Sequence, residues 1–425
     1  MIKILDSTKK NFYTKLNKLL NNRRIVKKSN LETVQKIINN VRKNKDRALV
    51  YYEKKFNSNS NIIPSKKQIK QAIKLLDPKV KKAIDDAHKR IKEWHSKQKI
   101  KDIYYKDKLN NKFYYRTVAI SDVAVYVPSG LPSCLLMCAT PAVAAGVKRI
   151  VILTPSVDGK LNPSIMYAAS KLGLNEIYAV SGASAIAAAA YGTPKIKPVS
   201  KIVGAGSLYT SLAKKLVSLE GVCGSESAFL GPSEILVWAD NSVSAEEVAS
   251  SCIAQSEHDS NSMAIVITKS KKLIKEIKIS LLKQLKDLPR KAIAKKSLKK
   301  NGALIFASSD NKVLSILNLC APEHVELCIK NYKKYMYKIT NAGSVVLGKY
   351  GSMSMSDYFS QHQLPTHGSA RYSSGLGMKD FVKQISYNEM QKKGIEKIAE
   401  TGYVLSQEEK LFGHSRSIKI KMRRK

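Results

Sequence analysis

Four short stretches of the chain carry side chains suited to metal binding or proton transfer. Gln255-Ser256-Glu257-His258 sets an amide oxygen and an imidazole three residues apart at the end of a predicted helix, on one face, and both groups can ligate a metal ion. Ala321-Pro322-Glu323-His324-Val325-Glu326 puts a carboxylate beside an imidazole, a pair suited to acid–base work near neutral pH, in what reads as a loop or a helix start. Ser356-Asp357-Tyr358 is followed by His362-Gln363-Leu364-Pro365-Thr366-His367-Gly368, a polar loop that gathers one Asp and two His in a chain with seven His in all. Glu409-Lys410-Leu411-Phe412-Gly413-His414 reads as a helix end, where the C-terminal dipole favours an imidazolium. Taken singly, each stretch also has an ordinary reading as a surface pair, a solvated turn or a helix terminus.

Such groups act only when a scaffold gathers them, and the apolar pattern indicates the scaffold. From Val123, short apolar runs at 124–127, Arg149–Leu153, 176–180 and Lys201–Val203 alternate with amphipathic segments at 163–172, 183–190 and 209–217. This βαβ rhythm implies a parallel sheet with helices on both faces. The rhythm restarts at Ile235-Leu236-Val237-Trp238 and runs on through 264–268, Ala303–Phe306 and Ser344–Leu347. Ser244-Ala245-Glu246-Glu247 fits a capping box that opens a helix reaching about Gln255. The Lys-rich stretch 271–301 reads as a long exposed helix and its connection. Upstream, Leu31, Val34, Ile37 and Ile38 fall at helical spacing, and 102–117 reads as a short hairpin or extended link. The expected fold is α/β, with two Rossmann-like parallel-sheet domains over 118–234 and 235–378. An N-terminal helical segment over 1–117 and a small helical tail over 379–425 flank them.

Composition narrows the class. A chain of 425 residues, 44% hydrophobic and 25% charged, can bury a large core. No run reaches the length of a membrane span. The start, Met1-Ile2-Lys3-Ile4-Leu5-Asp6, has neither an apolar signal core nor a small-residue cleavage site, so a cytoplasmic protein is expected. None of the six cysteines forms a Cys-x-x-Cys pair, which points to reduced, buried thiols. The net charge of +41 invites a nucleic-acid reading, but 62 of the 74 basic residues are lysine and they are spread along the chain. A phosphate-reading surface uses more arginine, whose planar fork grips phosphate at two points. Neither nucleic acid nor membrane is expected as a partner.

The four stretches, together with Gly231-Pro232-Ser233-Glu234, Tyr126-Val127-Pro128, Leu136-Met137 and Thr140-Pro141-Ala142, follow the order and approximate spacing of histidinol dehydrogenases. The chain resembles that family from about Val123 to His414. The resemblance implies zinc held by Gln255, His258, Asp357 and His414, a set of nitrogen and oxygen donors without thiolate. It implies substrate contacts from Ser233, Gln255, His258, His324, Asp357, Glu409 and His414. The implied reaction is a two-step, NAD-linked oxidation of histidinol through the aldehyde to histidine, with His324 as the base for the alcohol and Glu323 activating water for the second step. It further implies a homodimer in which the last segment, with Glu409 and His414, completes the partner's site.

The match is uneven around the cofactor. Tyr126 is an expected NAD contact. The loop from Pro128 to Ser133 is shorter than the family's. Ser184 stands where the family has Gln, in Gly182-Ala183-Ser184-Ala185, and Ser207 where it has Asn, in Gly204-Ala205-Gly206-Ser207. The stretch Ser227-Ala228-Phe229-Leu230 also departs from the family pattern, and no Gly-x-Gly-x-x-Gly fingerprint is present. Two alternatives follow: a relative that oxidises another polar alcohol, or a zinc-binding paralogue of weak activity.

Overall fold

Apolar runs bounded by polar turns become the strands of two parallel sheets. The computed structural model describes residues 2–23, 28–228, 231–360 and 363–422. His362, and Phe229 and Leu230 ahead of Gly231, lie outside the described residues. The chain forms two compact units, one from Met1–Gln98 and Ile120–Phe381, the other from Lys99–Ala119 and Val382–Lys425.

In chain order, β1 (Lys3–Asp6) precedes α1 (Phe12–Asn22), α2 (Lys28–Asn57), α3 (Lys66–Lys74) and α4 (Pro78–Ser96). The hairpin β2 (Ile103–Lys106) and β3 (Lys112–Ala119) follows. Alternation then sets in with β4 (Asp122–Tyr126), α5 (Pro132–Ala145), β5 (Arg149–Leu153), α6 (Pro163–Lys171), β6 (Glu176–Tyr178), α7 (Gly182–Tyr191), β7 (Lys201–Val203), α8 (Leu208–Leu219) and β8 (Gly224–Ser225). It resumes with β9 (Glu234–Ala239), α9 (Ala245–Ser256), β10 (Met263–Thr268), α10 (Lys271–Gln284), α11 (Lys291–Asn301), β11 (Ala303–Phe306), α12 (Asp310–Cys320), β12 (His324–Cys328), α13 (Lys333–Met336), β13 (Ser344–Leu347) and α14 (Met353–Phe359). Last come β14 (Val382–Glu389), α15 (Lys392–Glu408) and α16 (Phe412–Met422).

The first sheet runs β6-β5-β4-β7-β8 and the second β1-β11-β10-β9-β12-β13, with every pairing parallel. Their central strands are covered on both faces, which is why they read as unbroken apolar runs. Val123 and Val125 of β4 enter one core while Ala124 and Tyr126 enter another, as the twofold period of a strand requires. Each sheet reverses its direction of growth once, between β4 and β7 and between β9 and β12. In open parallel sheets the crevice beyond the carboxyl ends at such a point is where ligands settle.

Five local expectations differ from the structure. The N-terminal stretch opens with a strand, because Lys3–Asp6 pairs with Ala303–Phe306 across some three hundred residues of chain. Pro322 and Glu323 lie in the connection ahead of β12, but His324 opens that strand and neither loop nor helix continues past it, since His324 falls in register beside Ile235 of β9. Asp357 lies on the short helix α14 rather than in a loop. The tail begins with a strand, β14, paired antiparallel to β3 in the second unit. The Lys-rich stretch 271–301 holds two helices, α10 and α11, not one. The Ser244–Glu247 capping box is present as expected, with reciprocal side-chain bonds to backbone N–H groups at 2.7 and 3.2 Å. All six cysteines are buried and none is disulfide-bonded. Among the described residues, no helix is long and apolar enough to cross a membrane.

Candidate active site

Parallel pairing of β9 with β12 sets their starts side by side, at the amino-terminal edge of the second sheet. The register sets His324 beside Ile235 and so brings Glu323 next to Glu234. The Glu234 N–H donates to Glu323 Oε2 at 2.8 Å, and the Ser344 N–H donates to the Glu323 carbonyl oxygen at 2.8 Å. Both Glu323 and His324 are buried. His324 Nε2 lies 3.7 Å from Glu323 Oε1 and 4.0 Å from Asp357 Oδ1. Asp357 arrives on α14, which packs against both α9 and β12. The edge therefore gathers two carboxylates around one imidazole in a site largely shut off from water, an arrangement in which proton transfer is possible without reorganising solvent.

Gln255 ends the buried face of α9. Its Oε1 is buried and has no hydrogen-bond partner among the described residues. A buried amide oxygen without a donor is costly, and a cation removes that cost. His258 lies two residues past the helix end and is exposed, with its N–H 3.4 Å from the Gln255 carbonyl oxygen. No group of three or more His, Cys, Asp or Glu is gathered as a metal site among the described residues. The ligand set drawn from the sequence differs from such a group, because it includes the Gln255 amide and a histidine of the second unit.

That histidine, His414, is exposed in the first turn of α16, and Glu409 is exposed in the turn after α15. The turn is tight: the Leu411 N–H reaches the Ser406 carbonyl oxygen at 2.8 Å, Lys410 takes a left-handed φ of 57°, and the Ser406 and Ser415 hydroxyls meet at 2.7 Å. His414 thus stands near a helix start rather than the helix end expected from the sequence.

The residues assigned to the nucleotide surround the reversal point of the first sheet. Tyr126 closes β4, and its Oη accepts the Gly182 N–H at 3.2 Å, which ties it to the start of α7. Gly204-Ala205-Gly206-Ser207 follows β7, the neighbour of β4. Gly204 has φ of 115°, and a Cβ there would collide with the Tyr126 carbonyl oxygen, so the turn lies directly on the end of β4. Ser207 caps α8, its Oγ 3.4 Å from the Thr210 N–H. Ser184 is buried in the first turn of α7, where its Oγ donates to the Ser181 carbonyl oxygen at 2.9 Å. Ser184 thus donates to the backbone beside it, while Ser207 accepts from the backbone and faces Thr210 Oγ1 at 3.4 Å.

A sequence model of the family described as histidinol dehydrogenase matches residues 20–422. A histidinol dehydrogenase of Pelagibacter ubique is 50% identical over 430 residues, covering 100% of both chains. The chain belongs to the histidinol dehydrogenase family. A histidinol dehydrogenase of Listeria innocua is 39% identical over 91% of this chain and 92% of its own. The crystal structure of the histidinol dehydrogenase from Elizabethkingia anophelis superposes with a TM-score of 0.92 at 32% identity, covering 99% of this chain and 97% of that one.

Within this histidinol dehydrogenase framework, three residues given no role from the sequence hold the edge in place: Glu234 and Glu326, which stand inside the motifs, and Arg23, which stands outside them. The Glu234 carboxylate is fully buried, pairs with Arg23 at 2.8 Å and accepts the His367 N–H at 2.8 Å. Burial pushes its pKa up, against the pull of Arg23. Arg23 also donates to the Cys320 carbonyl oxygen at 2.5 Å, so one guanidinium joins the start of β9 to the end of α12, just before Glu323. Glu326, two residues past His324 and on the same side of β12, accepts the Met353 N–H at 2.7 Å and so pins the first residue of the helix that carries Asp357. Burial raises its pKa as well. A clue to Glu326 was available, since a polar residue at the i+2 position of a buried strand faces the same way as His324. Arg23 gave none, because its partners lie over two hundred residues away.

Proposed function

We propose that the chain oxidises L-histidinol to L-histidine through histidinal, in two NAD-linked steps, as a zinc-dependent homodimer. The observation that carries this reading is the buried Glu323–His324 pair beside Asp357 at the start of β12, next to a helix whose last turn presents the Gln255 oxygen, unpartnered among the described residues. Gln255, His258 and Asp357, with His414 from the partner's tail, are the proposed zinc ligands. They fit, being nitrogen and oxygen donors with one buried oxygen in need of a cation. Bound there, zinc would orient and polarise the substrate. NAD would accept one hydride in each step.

The chain's own residues do the proton work. In the first step His324 takes the hydroxyl proton as the carbon loses its hydride. In the second, Glu323 takes a proton from the water that adds to the aldehyde, and the hydrate then gives up its hydride. The bond from the Glu234 N–H holds Glu323 Oε2, which leaves Oε1 on the His324 side as the proton acceptor. Ser233 and Glu409 complete the substrate's surroundings. As a step of amino-acid synthesis, the activity is expected in the cytoplasm. Expression in a histidine auxotroph blocked at this oxidation should restore growth on minimal medium. Growth restored only by added histidine would argue for one of the other alcohols.

The cofactor site supports a weak grip on NAD. Ser184 and Ser207 are engaged in contacts within the first turns of their helices and are too short to reach as an amide does, and an amide in each place contributes roughly 0.5–1.5 kcal/mol net. The KM for NAD is therefore expected to be high while that for histidinol is ordinary. Asn is as good a helix cap as Ser, so Ser207→Asn keeps the start of α8 and should lower the KM for NAD about two- to tenfold. Adding Ser184→Gln should extend the gain toward about a hundredfold, provided the longer side chain leaves the buried first turn of α7. Steady-state kinetics with NAD varied at saturating histidinol read both values. A low KM for NAD in the parent would mean that the shortened loop after Pro128 has built a different pocket.

A further inference from the structure

Lys214 is a charged group in an unusual place. In a chain rich in lysine, it is the only lysine buried among the described residues, with its side chain 2% exposed. It sits on the inner face of α8 and pairs with Glu226, which is buried as well. Its ammonium also donates to the carbonyl oxygen of Gly204 at 2.6 Å. Burying an ion pair rarely stabilises a fold more than a well-packed apolar pair of similar volume. The feature an apolar pair cannot reproduce is the donor to Gly204.

Gly204 is where such a donor has consequence. It opens the turn between β7 and α8, at the point where the first sheet reverses its growth, and lies flat against the end of β4 at Tyr126. The same turn is held further along: a Cβ on Gly206 would strike Thr210, and Ser207 caps α8 through the Thr210 N–H. The segment bearing Glu226 is gripped beside this, since Lys215 donates to the Glu226 carbonyl oxygen at 2.8 Å. Lys201 and Asp380 also lie within electrostatic reach of Glu226, and Lys201 donates to the Asp380 carbonyl oxygen at 2.5 Å.

We infer that Lys214 is a positioning residue for the dinucleotide: anchored on Glu226, its ammonium holds the Gly204–Ser207 turn in the shape that the cofactor meets. The inference rests on the reading of this crevice as the NAD site. Lys214 need not touch the cofactor, because it acts through the backbone of Gly204.

Two variants test it, with NADH titrated by its own fluorescence and amide hydrogen exchange followed at residues 204–207. Lys214→Met should weaken NADH binding by at least about tenfold, the effect of one lost buried hydrogen bond to a charged donor, and should speed exchange across the turn. Because that variant leaves Glu226 buried and unpaired, it is expected to lose stability. The double variant Lys214→Met with Glu226→Leu removes both charges and should recover the parent's melting temperature, while NADH binding stays weak and exchange stays fast. Ser207→Trp, which fills the crevice, is the control on the underlying reading and should abolish NADH binding. A double variant with parent-like NADH affinity and parent-like exchange would show that the ion pair only supports the fold, and would overturn the inference. Undiminished NADH binding in Ser207→Trp would overturn the cofactor site itself, whatever the exchange data show about the turn.

Discussion

Replacing His324 by Asn is expected to lower kcat for histidinol by about two to four orders of magnitude, the range that a positioned general base supplies. The KM for histidinol and the bound zinc should change little by comparison. His324 is buried at the first position of β12, its Nε2 3.7 Å from Glu323 Oε1 and 4.0 Å from Asp357 Oδ1. Asn has nearly the volume of the inner part of the imidazole and can hydrogen-bond, so the strand pairing to β9 should survive. What it cannot do is accept the hydroxyl proton. Glu323→Gln separates the steps: it keeps an acceptor for the Glu234 N–H, leaves His324 in place and removes the base for water. That variant should release one NADH per site quickly and then stall, with histidinal detectable by trapping. A His324→Asn variant within a few-fold of the parent's kcat would remove His324 from the chemistry.

The second large effect concerns the tail. Removing the chain from about residue 400 onward, or changing His414 to Ala, should abolish activity and reduce zinc from one per chain toward none after dialysis. His258→Ala should do the same. Glu409 and His414 are both exposed in the α15–α16 turn, held in a fixed shape by the Ser406–Ser415 contact and the Leu411 N–H bond. Side chains so presented suit a site on another copy. If the tail completes the partner's site in a twofold dimer, the His414→Ala and His324→Asn proteins should rescue each other. A mixed dimer then carries one intact site and one doubly defective site, so equal mixing with free exchange should restore about a quarter of the parent's activity. Each variant alone should stay inactive. An active monomer, or a mixture no better than its components, would rule out the exchanged tail.

The parallel sheets were legible because their strands are short apolar runs with both faces covered. β5, β7, β11 and β13 begin and end where those runs do. β1 was not legible: four residues, Lys-Ile-Leu-Asp, become a strand only because β11 offers an edge, and no local pattern records that edge. β12 was hidden for a different reason. Its sequence, His-Val-Glu-Leu-Cys, is fully buried yet carries two polar residues, one facing Asp357 and the other the start of α14. Function has displaced the apolar residues that would have marked it. The motif residues themselves could be found because each stretch is short and ordered along the chain. Arg23 and Glu234 act across the chain through buried bonds, and Lys214 through a turn and a loop ten and twelve residues away; their partners were visible only once the fold placed them.

The central claim, that this chain carries an alcohol through the aldehyde to the acid at one site, has a direct measure in the ratio of NADH formed to L-histidinol consumed. With the zinc-loaded protein and excess NAD, the account predicts two NADH for each histidinol, histidine as the product in equal amount, and no free histidinal during turnover. One NADH per histidinol with accumulating aldehyde, or no NADH from a protein shown to hold zinc, would contradict it.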